Sequence, residues 1–151
     1  MSYAPVMTDP SQESLAEQFP RVARAMRRRW AGALHPWDLS PHQARALRVI
    51  CKQEGSRLSD LAMALRIAPR SVTEVVDLLE QRGYVERAPH PHDRRATLVV
   101  ATARGREVRA KIDRARHDDA EDFFAVLSDR ERSSLVRILG KLLGEAERPR
   151  P

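Results

Sequence analysis

A mainly α fold carrying one small β-hairpin is the class this sequence predicts, and three observations predict it. Apolar residues recur at helical spacing in six separate stretches. From Tyr84 to Arg87 and again from Thr97 to Ala101 the pattern changes to strand-like alternation. The unbroken segment Leu58 to Gly105 then reads as a short helix, a turn, a second helix and a hairpin. A helix pair followed by a hairpin whose tip carries His92-Asp93-Arg94-Arg95-Ala96 has the outline of a winged helix-turn-helix, with further helices at both ends.

The elements follow in order. Met1 to Ser14 is polar and holds Pro5 and Pro10, so residues 1–14 are expected to be disordered, as is the proline-bearing tail 147–151. Leu15, Phe19, Val22, Met26, Trp30 and Leu34 share one face of a first helix over 15–34, whose other face carries Arg21, Arg24 and Arg28. Pro20 either ends its first turn or kinks it. His35-Pro36-Trp37-Asp38 breaks the helix, and Ser40 caps a second one with Pro41 at its first position. Leu47, Ile50 and Cys51 face inward there, and Gly55 ends it. A third helix is expected from Ser59, with Leu58 and Met63 forming a hydrophobic staple across the cap. Leu61, Ala62 and Leu65 are its core face. Arg66-Ile67-Ala68 is the turn, and Pro69 opens the fourth helix, where Val72, Val75, Val76 and Leu79 point inward before Gly83 stops it. The hairpin loop is rich in Pro and His. Thr102 caps a long helix to about Val126, with Val108, Ile112, Ala115, Phe123 and Leu127 inward. Ser128 and Glu131 form a capping box for a last helix carrying Leu135, Ile138, Leu139, Leu142 and Leu143.

Residues 40–106 therefore make a complete small lobe. The helices at 15–34 and 107–146 keep apolar stripes that this lobe does not cover. Packing against the same helices of a second copy buries them, giving a two-fold homodimer.

Composition agrees with a soluble globular protein of one compact domain or one intertwined subunit: 151 residues, 42% hydrophobic and 32% charged. The formal charge is +6, which suits an anionic partner. Of 27 basic residues only Lys52, Lys111 and Lys141 are lysine. Arginine fits bidentate contacts to guanine and phosphate, although a GC-rich genome alone would also produce the bias. Cys51 is the single cysteine, so no intramolecular disulfide forms, and a cytoplasmic setting is expected. Met1 to Pro10 does not read as a signal peptide. No stretch approaches the about 20 apolar residues of a membrane span.

The fourth helix turns Arg70, Thr73, Glu74 and Asp77 away from its valine face, with Ser71 at the flank and Pro69 leading. Arg70 can read the acceptor pair of guanine. Ser71, Thr73 and the free amides of the first turn can hold phosphate. Glu74 either accepts from a cytosine amino group or repels the backbone. At the hairpin, Arg94 and Arg95 suit a narrow minor groove, and Asp93 orients an arginine by an ion pair. The bland reading is a solvated helix face and a polar turn. No glycine-rich phosphate loop, metal-ligand cluster or nucleophile motif is present, so neither an enzyme nor a cofactor is expected. His90 and His92 lack a third metal ligand. Cys51, on an apolar face, reads as a structural thiol. Trp30 and Trp37 bracket the end of the first helix. They read first as packing residues, and second as the lining of a pocket for an aromatic ligand.

Several short runs resemble the MarR family of bacterial transcriptional regulators: Leu61-Ala62, Val72-Thr73, Val76-Asp77, Leu79-Glu80, Arg82-Gly83-Tyr84-Val85-Glu86-Arg87, Asp93-Arg94-Arg95 and Thr102-Ala103-Arg104-Gly105. The resemblance implies a homodimer that places two recognition helices in successive major grooves of a palindromic operator on double-stranded DNA. It also implies wings in the flanking minor grooves and a response to small, often phenolic ligands or oxidants. The peroxide-sensing members carry their reactive cysteine in the first helix, where this chain has none. Arg66 stands where the family often has glycine, and Ala68 where it usually has serine. The expected function is thus a DNA-binding transcriptional regulator, most often a repressor. The alternative is a winged-helix protein-interaction module that has lost specific DNA binding. Glu74, Asp77 and the modest charge of residues 55–106, nine arginines against six acids, favour that alternative.

Overall fold

The computed structural model of the chain describes residues 14–53 and 55–146, apart from the side chains of Arg94, Arg95 and Ala146. The tails expected to be disordered lie outside the described residues, except Ser14. That residue caps the first helix, its N–H donating to Glu17 Oε2 at 2.9 Å.

In chain order the elements are α1 (Leu15–Ala33), a short 3₁₀ turn (His35–Trp37), α2 (Pro41–Lys52), α3 (Leu58–Leu65), α4 (Pro69–Gln81), β1 (Val85–His90), β2 (Asp93–Ala101), α5 (Ala103–Phe124) and α6 (Asp129–Ala146). The fold is mainly helical with one antiparallel hairpin, as the periodicity predicts. α1 runs through Pro20 without ending. Ser40 caps α2 as expected, accepting from Gln43 N–H at 3.2 Å while Gln43 Oε1 accepts from Ser40 N–H at 2.9 Å.

Several helix boundaries differ from the sequence reading. α2 ends at Lys52 with Gln53 as its cap, short of Gly55. α5 ends at Phe124 rather than Val126. α3 begins at Leu58, one residue early, because Ser56 is already held in the wing sheet. Ser56 N–H donates to Val99 O at 3.1 Å, and Val99 N–H donates back at 2.9 Å. Arg57 is then the cap, its carbonyl accepting from the N–H groups of Asp60 and Leu61 at 3.1 Å. Leu58 therefore lies inside the helix, and Met63 is 72% exposed, so the expected staple does not form.

The core is the lobe's own. Leu47 and Ile50 of α2, Leu61 of α3, Val72, Val76 and Leu79 of α4, and Val85 and Val99 of the hairpin are almost wholly buried. Val108 and Ile112 of α5 close it from behind. The join between wing and α5 is tight. Thr102 N–H donates to Tyr84 O at 3.1 Å, and its hydroxyl donates to Gly83 O at 2.7 Å and accepts from Gly105 N–H at 2.9 Å. A Cβ at position 105 would lie 1.9 Å from Tyr84 O, so only glycine fits there.

α1 lies along α5, tied by Arg29 to Asp119 at 2.9 Å. α6 is different. Val136, Ile138, Leu142 and Leu143 stay 46–71% exposed, and Leu15, Phe19 and Val22 of α1 are similarly open.

Candidate nucleic-acid interface

The α3–turn–α4 unit owes its shape to a left-handed residue. Arg66 sits at φ 53°, ψ 47°, and Ile67 N–H reaches back to Ala62 O at 3.2 Å. A non-glycine residue there costs about 1 kcal/mol. Ala68 is the cap of α4 and has no side chain to accept from the first turn. The early amides of α4 are thus left for an anion.

All five helix residues of the predicted site lie together on the outer side of α4. Pro69, Arg70, Thr73 and Glu74 are exposed, and Ser71 is half-buried at the flank. Arg70 Nε lies 3.5 Å from Glu74, with the arginine side chain 92% exposed. Such an ion pair is weak and leaves the guanidinium free to reorient. Thr73 Oγ1 donates to Pro69 O at 3.3 Å, which leaves its lone pairs outward.

The hairpin corrects the sequence reading in one respect. Its loop is only Pro91-His92, and Asp93, Arg94 and Arg95 belong to β2. The register steps from His90↔Asp93 directly to Pro89↔Thr97, so Arg94, Arg95 and Ala96 form a bulge. Pro89 supplies no N–H to the ladder, which is where such a break is least costly. The side chains of Arg94 and Arg95 lie outside the described residues. Asp93 Oδ2 lies 3.4 Å from Nη2 of Arg57, just before α3, so this ion pair ties the wing to α3 and is not one to a wing arginine.

One residue of the interface had no signal in sequence reasoning. Arg87 of β1 reaches across to α4, with Nη2 on Asp77 Oδ1 at 2.5 Å and Nη1 on Glu80 Oε2. Its own N–H donates to Glu80 Oε1 at 3.1 Å. The hydrogen bond to Asp77 holds the Arg87 guanidinium pKa above its usual range. Of the two acids that weighed against DNA binding, Asp77 is thus paired within the chain, while Glu74 stays exposed beside Arg70.

Trp30 and Trp37 do not share a pocket. Trp30 lines a cleft of about 280 Å³ between α1, α2 and α5, together with Arg45, Arg48, Arg109 and Ile112. Arg116 stacks over the Trp30 ring at 5.1 Å, and Arg109 Nε is buried without a hydrogen-bond partner. Trp37 faces other hollows, along the outer side of α5 and beside Arg82 and Tyr84. Burial pushes the Cys51 thiol up, despite the nearby Arg109 and Arg106. Among the described residues no cluster of His, Cys, Asp or Glu could hold a metal ion, and no helix is long and apolar enough to cross a membrane.

An exposed arginine-bearing helix after a tight turn, beside a two-stranded wing, is the arrangement of a winged helix-turn-helix. Comparison with known proteins agrees. The MarR family profile matches residues 37–96. An uncharacterized HTH-type transcriptional regulator of Mycobacterium bovis is 34% identical over 115 residues, 76% of this chain and 78% of that protein. A Thauera aromatica protein, provisionally named a transcriptional regulatory protein for the hcr operon, is 36% identical over 64% of this chain, and the match spans only 58% of its length. Wild-type MarR of Escherichia coli superposes with a TM-score of 0.72 at 25% identity, covering 87% of this chain and 98% of that one. The chain belongs to the MarR family.

Proposed function

We propose that this chain acts in the cytoplasm as a repressor, binding a palindromic operator on double-stranded DNA as a homodimer. In this reading residues 40–106 are the DNA-reading lobe, and 15–34 with 107–146 are the dimerisation helices. The open apolar residues of α1 and α6 support the second assignment, since a lone subunit leaves them in water.

The observation that carries the DNA reading is the pairing of charges on α4. Asp77 and Glu80 are both taken by Arg87, whereas Arg70 stands out beside Ser71 and Thr73. The outer side of α4 thus presents the Arg70 guanidinium with its weakly held partner Glu74, two hydroxyls and uncapped amides. Arg70 reads a guanine edge in the major groove, and Ser71 and Thr73 fix the register on phosphate. The Arg94-Arg95 bulge serves the neighbouring minor groove.

The cleft beside Trp30 suits a small aromatic ligand bearing a carboxylate. The tryptophan offers the ring face not taken by Arg116, and Arg45 and Arg48 offer charge, Arg109 being paired with Asp113. Because α1 and α5 line it along with α2, a ligand that prefers one spacing of these helices shifts the population away from the DNA-competent dimer.

Titration of the protein against its own upstream intergenic DNA at two salt concentrations tests the proposal. Steep loss of affinity with salt, together with preference over unrelated DNA, is expected. Weak, sequence-independent binding at both salts would instead fit the protein-interaction module.

A further inference from the structure

Arg87 does more than pair with two acids. It is half-buried on β1, three residues before the strand's end at His90, and both its main chain and its side chain are fastened to α4. Glu80 uses one carboxylate oxygen for the Arg87 N–H and the other for the guanidinium. Asp77, one turn earlier on the same flank, takes the second arm of the guanidinium at 2.5 Å. Arginine suits this place because its planar fork presents separate N–H arms to two carboxylates in a fixed geometry, whereas an ammonium is a single rotatable point charge.

The geometry points to Arg87 as the positioning residue that sets the angle between the reading helix and the wing, so that Arg70 and the Arg94-Arg95 bulge engage DNA as one unit. The inference rests on the DNA reading given above. Its physical basis is leverage. From Arg87 to the end of β1 the strand advances about 10 Å, so a tilt of about 10° at Arg87 moves the wing turn by about 2 Å. That exceeds the tolerance of a hydrogen bond. The Tyr84–Thr102 join fixes the base of the wing, and the Ser56–Val99 pair fixes its outer strand. Arg87 is the contact that refers the wing's direction to α4.

A double-mutant cycle on operator binding tests this. Arg95→Ala, Arg87→Met and the double variant are titrated against one operator, with Arg87→Lys as the conservative variant. Arg87→Met is expected to weaken binding by about tenfold or more, and in its background Arg95→Ala should change affinity by less than about twofold. Arg87→Lys should restore part of the affinity and part of the Arg95 effect. Additive losses, with Arg95→Ala costing the same in both backgrounds, overturn the inference while leaving DNA binding intact. A wild-type protein that shows no operator preference overturns the DNA reading itself. Should Arg87→Met fail to fold, Glu80→Ala with Asp77→Ala removes the same clamp from the other side, and the same cycle is read there. Amide exchange in DNA-free protein gives a second measure. The Arg87 N–H should exchange faster in Glu80→Ala, which removes its acceptor, with the Val99 N–H unchanged; equal protection in both proteins also overturns the clamp.

Discussion

The missing cap of α4 yields the most direct stability prediction. Ala68 has cap geometry, φ −62° and ψ 146°, with no acceptor on its side chain. The chain contains its own comparator: Ser40, at φ −72° and ψ 159°, accepts from Gln43 N–H three residues on, at 3.2 Å. Thr102 does the same for Gly105 at 2.9 Å. Ala68→Ser places a hydroxyl in equivalent backbone geometry, where it can accept from Ser71 N–H. The gain expected for such a cap is about 1 kcal/mol. For a chain of this length that raises the melting temperature by roughly 2–4 °C. Thermal unfolding followed by circular dichroism, at matched protein concentration because a dimer's stability depends on it, reads the change. A variant with a wild-type spectrum and an unchanged or lower melting temperature would refute the reasoning. DNA affinity should not rise with stability, because the new hydroxyl occupies an amide otherwise offered to phosphate.

Three further outcomes follow from the same structure. Gly105→Ala forces a methyl onto Tyr84 O and should cost at least about 2 kcal/mol in urea unfolding; near-neutral stability would show that the wing–α5 join can relax. Arg70→Ala should relax base preference at one position per half-site by about 1–3 kcal/mol, read from a randomised-operator selection, and an unaltered profile would remove it from base reading. Cys51, its thiol pushed up by burial, holds little thiolate at neutral pH. Its alkylation by iodoacetamide should be slower than that of a free thiol, and its rate should still be climbing above the ordinary thiol range. Fast reaction at pH 7 would contradict the structural role.

Much of this was legible in the residues. The valines of α4 and the Ser40, Thr102 and Ser128 caps declare themselves through local spacing. The two departures at Arg66 and Ala68 show only against the family resemblance, since a left-handed turn and a helix cap depend on single positions. The features that escaped are those made by distant partners. Ser56 is a one-residue strand with no alternation around it to read. The wing strands run on to His90 and back to Asp93 although Pro89 and Pro91 give that stretch the composition of a loop; pairing outweighed composition and left a bulge at the proline. Ser59 looked like a cap, but the Ser56–Val99 pair had already turned the chain. Arg87 and its acids lie seven and ten residues apart on different elements, a separation that no helical or strand period links. The tryptophans, close in sequence, diverge because the 3₁₀ turn lies between Trp30 and the end of that break.

The central claim is that two copies of this chain read two half-sites together. It is tested most directly by inserting five base pairs, about half a helical turn, between the half-sites of the selected operator. Titration of the intact and expanded operators under one salt condition then compares them. The account predicts collapse of affinity toward that of a single half-site, because the two α4 helices no longer face the same side of the duplex. Equal affinity for both operators would contradict it.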